Sequence, residues 1–239
     1  MIAGSSSPML LGKKANKDPD FANVKILLHG DGIDGSTTIT DEIGNVATVF
    51  GDTQIDTAFK RFGTGSILFD GAGDYLRYPN SSDWRFGTGD FTIECWARLA
   101  NPSVTSAIMM YGDIVTPDFS YSGWNLNYLA NANGLQFQLH SGTTRYSVNS
   151  GVTITQDTQT FIQIVRESGV VKIRIDGVEA ISQSQAQSIN APAGSPFLYV
   201  GRRVSSSPDY IDGHLDDVRI TKGVARSNVV PSRAFPDSA

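Results

Sequence analysis

The chain has 239 residues, a formal net charge of −5 and a single cysteine, Cys95. That length suits one large domain with a core of its own, and one cysteine excludes an internal disulfide. The acid excess argues against non-specific nucleic-acid binding, which needs a basic face, and no run approaches the ~18 apolar residues of a membrane helix.

Residues 1–23 are small and polar, with Gly4, Ser5, Ser6, Ser7, Pro8, Gly12 and Pro19, and read as an extended arm. Fully extended, the arm would reach roughly 70–80 Å. Lys13, Lys14 and Lys17 follow its short apolar patch, the reverse of the order in a signal peptide. From Val24 the signal is strands. Val24–His29 is an apolar run stopped by Gly30-Asp31-Gly32. Val46–Phe50, Ser66–Phe69 and Tyr75–Tyr78 follow, the last ending at Pro79. Phe91–Leu99 alternates, with Phe91, Ile93, Cys95, Ala97 and Leu99 on one face. That alternation reads Cys95 as a buried, inert thiol. A lone free cysteine also fits assembly in a reducing cytoplasm.

Ala107–Tyr111, Trp124–Leu129 and Leu135–His140 come next, with Asn133-Gly134 as a turn. Phe161–Arg166, Val170–Ile175 and Val178–Ile181 follow, with Asp176-Gly177 as the strongest hairpin signal in the chain. Phe197–Gly201 and His214–Thr221 close the series. Ser141–Thr160 and Ser182–Pro196 read as loops or edge strands. Helical periodicity is almost absent, and the 24 glycines and 10 prolines fall mostly between the runs. Arg98, Arg166, Arg219 and Arg226 are expected to lay charged stems over exposed sheet faces. An exposed Asp217–Arg219 pair would contribute little.

The strings FDGAGDYLRYP, DWRFGTGDFTIECWAR, IVRESGVVKIRIDGVEA and GHLDDVRITKGVAR occur in this order. Together they resemble the laminin-G-like domains of the concanavalin A-like lectin/glucanase superfamily. The resemblance implies an all-β, two-sheet antiparallel jelly-roll β-sandwich over residues 24–236, flanked by the arm and a tail of residues 237–239. In such folds the first and last strands pair. Wording such as LLHGDG, FGTGDFTIE and DDVRITKGVAR is also similar to domains of tail and capsid accessory proteins of tailed bacteriophages.

The resemblance places a calcium-binding aspartate at Asp216, with Gly30 and Asp31 as companions, so a structural calcium is one expectation. Asp70 and Asp74 have the oxygen chemistry of calcium ligands, and equally that of turn caps. The glucanase branch uses two carboxylates on alternate strand positions, about 5–5.5 Å apart. The four glutamates Glu42, Glu94, Glu167 and Glu179 have no carboxylate two residues away, so that pair is missing. His29, His140 and His214 are scattered. No HExxH, GxSxG or phosphate-loop motif is present. His29 would come near Asp216 and Asp217 if the end strands pair.

Two functions follow. The first is a non-enzymatic accessory protein of a virion, a capsid decoration or a head or tail appendage. It would be made in the host cytoplasm, displayed on the virion surface, and docked on other virion proteins through residues 1–23 or on copies of itself. The second is a module that binds a host glycan through Tyr111, Tyr121, Trp124, Tyr128 and Tyr146, with Asn125, Asn127 and Gln136 as polar partners. Trp124, Leu126 and Tyr128 share one face of their strand, and that face serves as a sugar platform or as core.

Overall fold

Strands that alternate apolar and polar residues have one face to hide, and here two such sheets hide it against each other. The computed structural model describes residues 17–113, 123–130, 134–141, 144–189, 194–204 and 209–239. The eight-stranded sheet runs through β13 (Val178–Ser184), β12 (Val170–Ile175), β11 (Thr160–Glu167), β6 (Phe91–Leu99), β17 (Asp212–Lys222), β4 (Ser66–Asp70) and β3 (Gln54–Asp56). The first strand, β1 (Val24–Leu28), pairs with the second half of β17, placing Leu27 opposite Arg219 and Leu28 opposite Val218.

The seven-stranded sheet runs through β10 (Thr144–Asn149), β9 (Gly134–Ser141), β8 (Gly123–Leu129), β7 (Ser106–Gly112), β14 (Phe197–Val200), β5 (Tyr75–Tyr78) and β2 (Thr48–Phe50). A small hairpin of β15 (Arg202–Arg203) and β16 (Asp209–Tyr210) follows β14. All pairings are antiparallel, and the architecture is the jelly-roll sandwich expected.

The core between the sheets is aromatic at one end. Phe86 stacks on Phe91 at 4.3 Å between centroids and on Trp124 at 5.4 Å, and Phe137 packs beside Trp124 at 6.3 Å. Such pairs add to the area that the rings bury. Cys95 lies in this core, where burial pushes its thiol up to about 12.

Several expectations need correction. Arg166 and Arg219 do not cover exposed faces. Arg166 is fully buried and donates to the carbonyls of Gly87 at 2.7 Å, Gly89 at 2.8 Å and Gln187 at 3.2 Å, tying the turn before β6 to the core. Burial lowers its pKa to about 10, and its charge is met by carbonyl oxygens. Arg219 pairs with Glu94 at 2.7 Å and Asp18 at 3.1 Å, not with Asp217.

Residues 17–23, assigned above to the arm, include a residue that packs into the domain. Asp18 is buried, and its carboxylate accepts from both Arg219 and Arg226. Its backbone N–H donates to the Ser238 carbonyl at 3.0 Å, so both chain ends close over the outer face of the eight-stranded sheet. Residues 1–16 lie outside the described residues. Strands β3, β15 and β16 are two or three residues long, too short to show a period in the sequence.

Candidate functional site

The outer face of the seven-stranded sheet gathers an aromatic cluster apart from the core. Alternation explains how it forms. In β5, Leu76 and Tyr78 face the core, which turns Tyr75 and Arg77 outward. In β14, Leu198 and Val200 face the core, which turns Phe197 and Tyr199 outward. In β2, Val49 packs inward and Phe50 outward. Gly201, at φ +89°, then bends the chain after β14 where a Cβ would meet the Phe69 ring at 2.7 Å. The bend brings Arg202 and Tyr210 of the small hairpin over the same patch.

Phe50 and Tyr75 stack at 4.3 Å with planes 7° apart. Tyr75 also meets Tyr199 at 5.9 Å and Tyr210 at 6.4 Å, and Phe197 meets Tyr199 edge-on at 6.1 Å. Two guanidinium groups lie on these rings. Arg77 is 4.7 Å from the Phe50 centroid and 4.6 Å from that of Phe197. Arg202 is 4.7 Å from Tyr75, 5.6 Å from Tyr210 and 5.8 Å from Tyr199. Cation–π contacts of this kind hold a guanidinium by its flat face. Phe50, Phe197, Tyr210, Arg77 and Arg202 are all half-buried, so the patch is open on one side. Burial raises the Tyr199 hydroxyl pKa, with the two arginines pulling the other way.

Beside this patch the face becomes polar. One register row crosses all seven strands: Thr48, Arg77, Tyr199, Met110, Asn125, Gln138 and Ser147. At about 4.8 Å per strand the row is roughly 29 Å long. Its amide end is closed to solvent and bonded within itself. Asn127 donates to Asn125 at 2.5 Å, Gln138 to Ser147 at 3.1 Å, and Gln136 to Asn149 at 2.8 Å. In this end of the face burial takes His140 down to about 4, with Arg145 acting the same way.

The sugar-binding residues expected from the sequence therefore divide. Trp124, Tyr111 and Tyr128 are core residues. Trp124 Nε1 donates to the Trp84 carbonyl at 3.0 Å, and the Tyr111 hydroxyl donates to Asn80 at 2.8 Å. The alternation that sends these rings inward sends Asn125 and Asn127 to the outer face, so the amides share a sheet face with Tyr199 rather than with Trp124. Tyr146 is half-buried and packs against the core. Tyr121 lies outside the described residues. Phe50, Tyr75, Phe197, Tyr199 and Tyr210 were missed, although Tyr75/Arg77 and Phe197/Tyr199 carry the period-two spacing that marks one strand face.

The carboxylates proposed for calcium accept hydrogen bonds from nearby loops. Asp31 accepts from the Thr64 backbone N–H and, at 2.9 Å, from its hydroxyl. Asp216 Oδ2 accepts from the backbone N–H groups of Arg61 at 2.5 Å and Phe62 at 3.2 Å. Asp74 accepts from Asp52 at 2.6 Å and Asp70 at 2.9 Å, and Asp70 caps Ala72 at 2.7 Å. Gly30 is a turn residue at φ +70° whose Cβ would meet the Ser66 backbone at 2.8 Å. Among the described residues no three acidic, histidine or cysteine side chains gather as a metal cage. These contacts are those of turn caps, while Asp216 Oδ1 is buried with no hydrogen-bond partner among the described residues.

Two further clusters are structural in layout. His29 Nδ1 lies 2.5 Å from Asp217 Oδ1, and Asp217 Oδ2 accepts from the Phe235 N–H at 2.9 Å. Asp217, at φ +47°, sits in an irregularity of the β6–β17 pairing. Glu94 is held by Arg219 and by Gln163 at 2.7 Å, on a cavity of about 300 Å³ that Asp18, Arg226 and Phe235 also line. The carboxylate of Glu94 is thus spent on ion pairing.

Comparison with known proteins agrees with this architecture. The model of the concanavalin A-like lectin/glucanases superfamily matches residues 70–228. No curated protein matches the chain. Among solved structures, domain 4 of AbnA, an extracellular arabinanase from Geobacillus stearothermophilus in complex with arabinotriose, is similar with a TM-score of 0.64 and 16% identity over 85% of this chain and 94% of that one. The binding domain of Paraclostridial Mosquitocidal Protein 1 gives 0.63 and 18% over 87% of this chain, and a botulinum neurotoxin type C chain gives 0.60 and 14% over 87%. In both toxins the match spans 50% of the toxin chain. These likenesses establish the shared sandwich.

Proposed function

Because the chain belongs to the concanavalin A-like lectin/glucanase superfamily, we propose that it is a non-enzymatic carbohydrate-binding module whose ligand lies on the aromatic–arginine patch of the seven-stranded sheet. The observation that carries this reading is the ring cluster in which Phe50, Phe197 and Tyr210 are half-open over the buried Tyr75 and Tyr199, with two guanidinium groups lying on the rings. Flat apolar rings receive the C–H faces of a sugar, and polar groups at the rim fix its orientation. The arabinanase domain was solved with arabinotriose, and the type C neurotoxin structure concerns entry through two ganglioside molecules. Both support a saccharide as the ligand class. The commitment of Glu94 to ion pairs supports binding without hydrolysis.

A glycan microarray of the full chain tests this, run beside a Phe197→Ala/Tyr210→Ala variant. The reading predicts retention on a restricted set of glycans and its loss in the variant, with the thermal midpoint preserved. Equal retention by both proteins would contradict it.

We also propose that the module is displayed on a bacteriophage particle as a head or tail appendage. The support is the resemblance of LLHGDG, FGTGDFTIE and DDVRITKGVAR to phage accessory domains. Sedimentation with particles stripped of the protein tests it, using the full chain and a chain lacking residues 1–16. The deletion stops there because Asp18 is part of the fold. Rebinding by the full chain alone supports docking through that segment, and a full chain that stays free contradicts the virion setting.

A further inference from the structure

We infer that the ligand of the aromatic patch is an acidic saccharide, a sugar chain bearing a carboxylate, and that Arg202 and Arg77 receive that carboxylate. The inference rests on the carbohydrate-binding reading above and deepens it. Stacking on a ring uses the face of a guanidinium and leaves its N–H edge free, and that edge is a fork matched to a carboxylate.

Among the described residues neither Arg202 nor Arg77 forms an ion pair, whereas the adjacent Arg203 is already paired with Asp209. The two cations lie on the two rings of one stack. Arg77 rests on Phe50, Arg202 rests on Tyr75, and those two rings stack on each other.

The rest of the chain carries an excess of acid, with 24 acidic against 19 basic residues. A pair of free guanidiniums on one patch is therefore a local departure that favours anions. The rings select against a simple anion, because they offer stacking area that only a ligand with an apolar face can use. Asp113, whose charge acts on Tyr199, spends Oδ2 on the Ser195 N–H at 2.7 Å.

The test is calorimetric titration with matched probes. The first pair is sialyllactose and lactose, and the second is trigalacturonic acid and its methyl ester. Each is titrated against the full chain and against Arg202→Gln, Arg77→Gln and Tyr210→Ala. The inference predicts that one acidic probe binds more than about tenfold tighter than its neutral partner. Arg202→Gln and Arg77→Gln bring the ratio of acidic to neutral affinity down to about one, while Tyr210→Ala weakens both members and leaves that ratio in place. Equal binding of acidic and neutral members, unmoved by the arginine variants, overturns the acidic preference and leaves the carbohydrate reading standing. Binding of none of the probes, together with an empty microarray, overturns both. A polyglutamate peptide is the last arm. If it binds as tightly as the acidic sugar, plain charge attraction or a protein partner replaces the inference.

Discussion

Phe50 on β2 and Tyr75 on β5 stack 4.3 Å apart with planes 7° from parallel, and each also carries a guanidinium 4.7 Å from its centroid. Neither ring is needed by the core, whose aromatic cluster lies between the sheets. Four side chains thus meet on a half-open sheet face. That relationship underlies the functional reading. The remaining features bear on the scaffold that holds it, and each leads to a measurement.

Asp216 makes stability depend on pH. Burial, reinforced by the neighbouring Asp217 charge, raises its carboxyl to about 7. A carboxyl raised by folding binds a proton more readily in the folded chain. Its effect is therefore to lower stability as pH climbs from about 4, the unfolded value, to about 7. The loss is on the order of 2–4 kcal/mol. Burial works to lower the His29 pKa, but its contact with Asp217 prevails and raises it. That contact therefore stabilises below about 6.5 and fades as pH rises through the raised value. Urea unfolding from pH 4 to pH 8 should show Asp216→Asn with a flatter curve than the parent and a higher midpoint at pH 8. Parallel curves would contradict the assignment.

Asp18 stitches the two chain ends to the sheet. Its carboxylate meets Arg219 at 3.1 Å and Arg226 at 2.7 Å, all three being largely buried. The Arg226 hydrogen bond and both positive charges overcome burial and hold its pKa below the usual range. Asp18→Ala leaves two buried guanidiniums short of a partner, and we expect a loss of about 3–5 kcal/mol in chemical denaturation. Asp18→Asn, which retains an acceptor oxygen, should lose less.

Gly213 lies where β17 crosses β6, at φ +144°. A Cβ there would sit 2.0 Å from the Arg98 carbonyl oxygen. Gly213→Ala should therefore lower the thermal midpoint by several degrees, corresponding to about 2–4 kcal/mol. Gly44→Ala is the control at positive φ, since nothing lies within 4 Å of its Cβ position, and it should cost less.

Cys95 should be inert in the folded protein. It is wholly buried, and its thiol is raised to about 12. Since the thiolate is the reactive form, a disulfide reagent should label it only in denaturant. Rapid labelling of the native chain would show that the core opens.

Much of the fold is legible in the sequence because its strands alternate cleanly. Phe91–Leu99 and Trp124–Leu129 state their inner and outer faces residue by residue, and the closing string beginning at Gly213 announces the strand that pairs with the first. The site is less legible. Trp124 and Tyr128 have the composition of a sugar platform, but period two cannot say which face of a strand is the inside. Phe50, Tyr75, Phe197, Tyr199 and Tyr210 come from strands far apart in the chain, and only the pairing of β14 with β5 and of β5 with β2 makes them neighbours. The arginines mislead for a related reason. Arg166 and Arg219 alternate as exposed residues do, yet the turns and chain ends folded over the sheet bury them with partners.

The claim that this face binds sugar is tested most directly by mapping where a bound glycan touches the protein. Aromatic side-chain resonances would be followed by NMR as the tightest glycan from the array is titrated in. The account predicts shifts concentrated on Phe50, Tyr75, Phe197, Tyr199 and Tyr210, with the core rings Trp84, Phe91 and Phe137 unmoved. Shifts confined to rings on the eight-stranded sheet, such as Trp96 and Phe161, would contradict it and move the binding site to the opposite face of the sandwich.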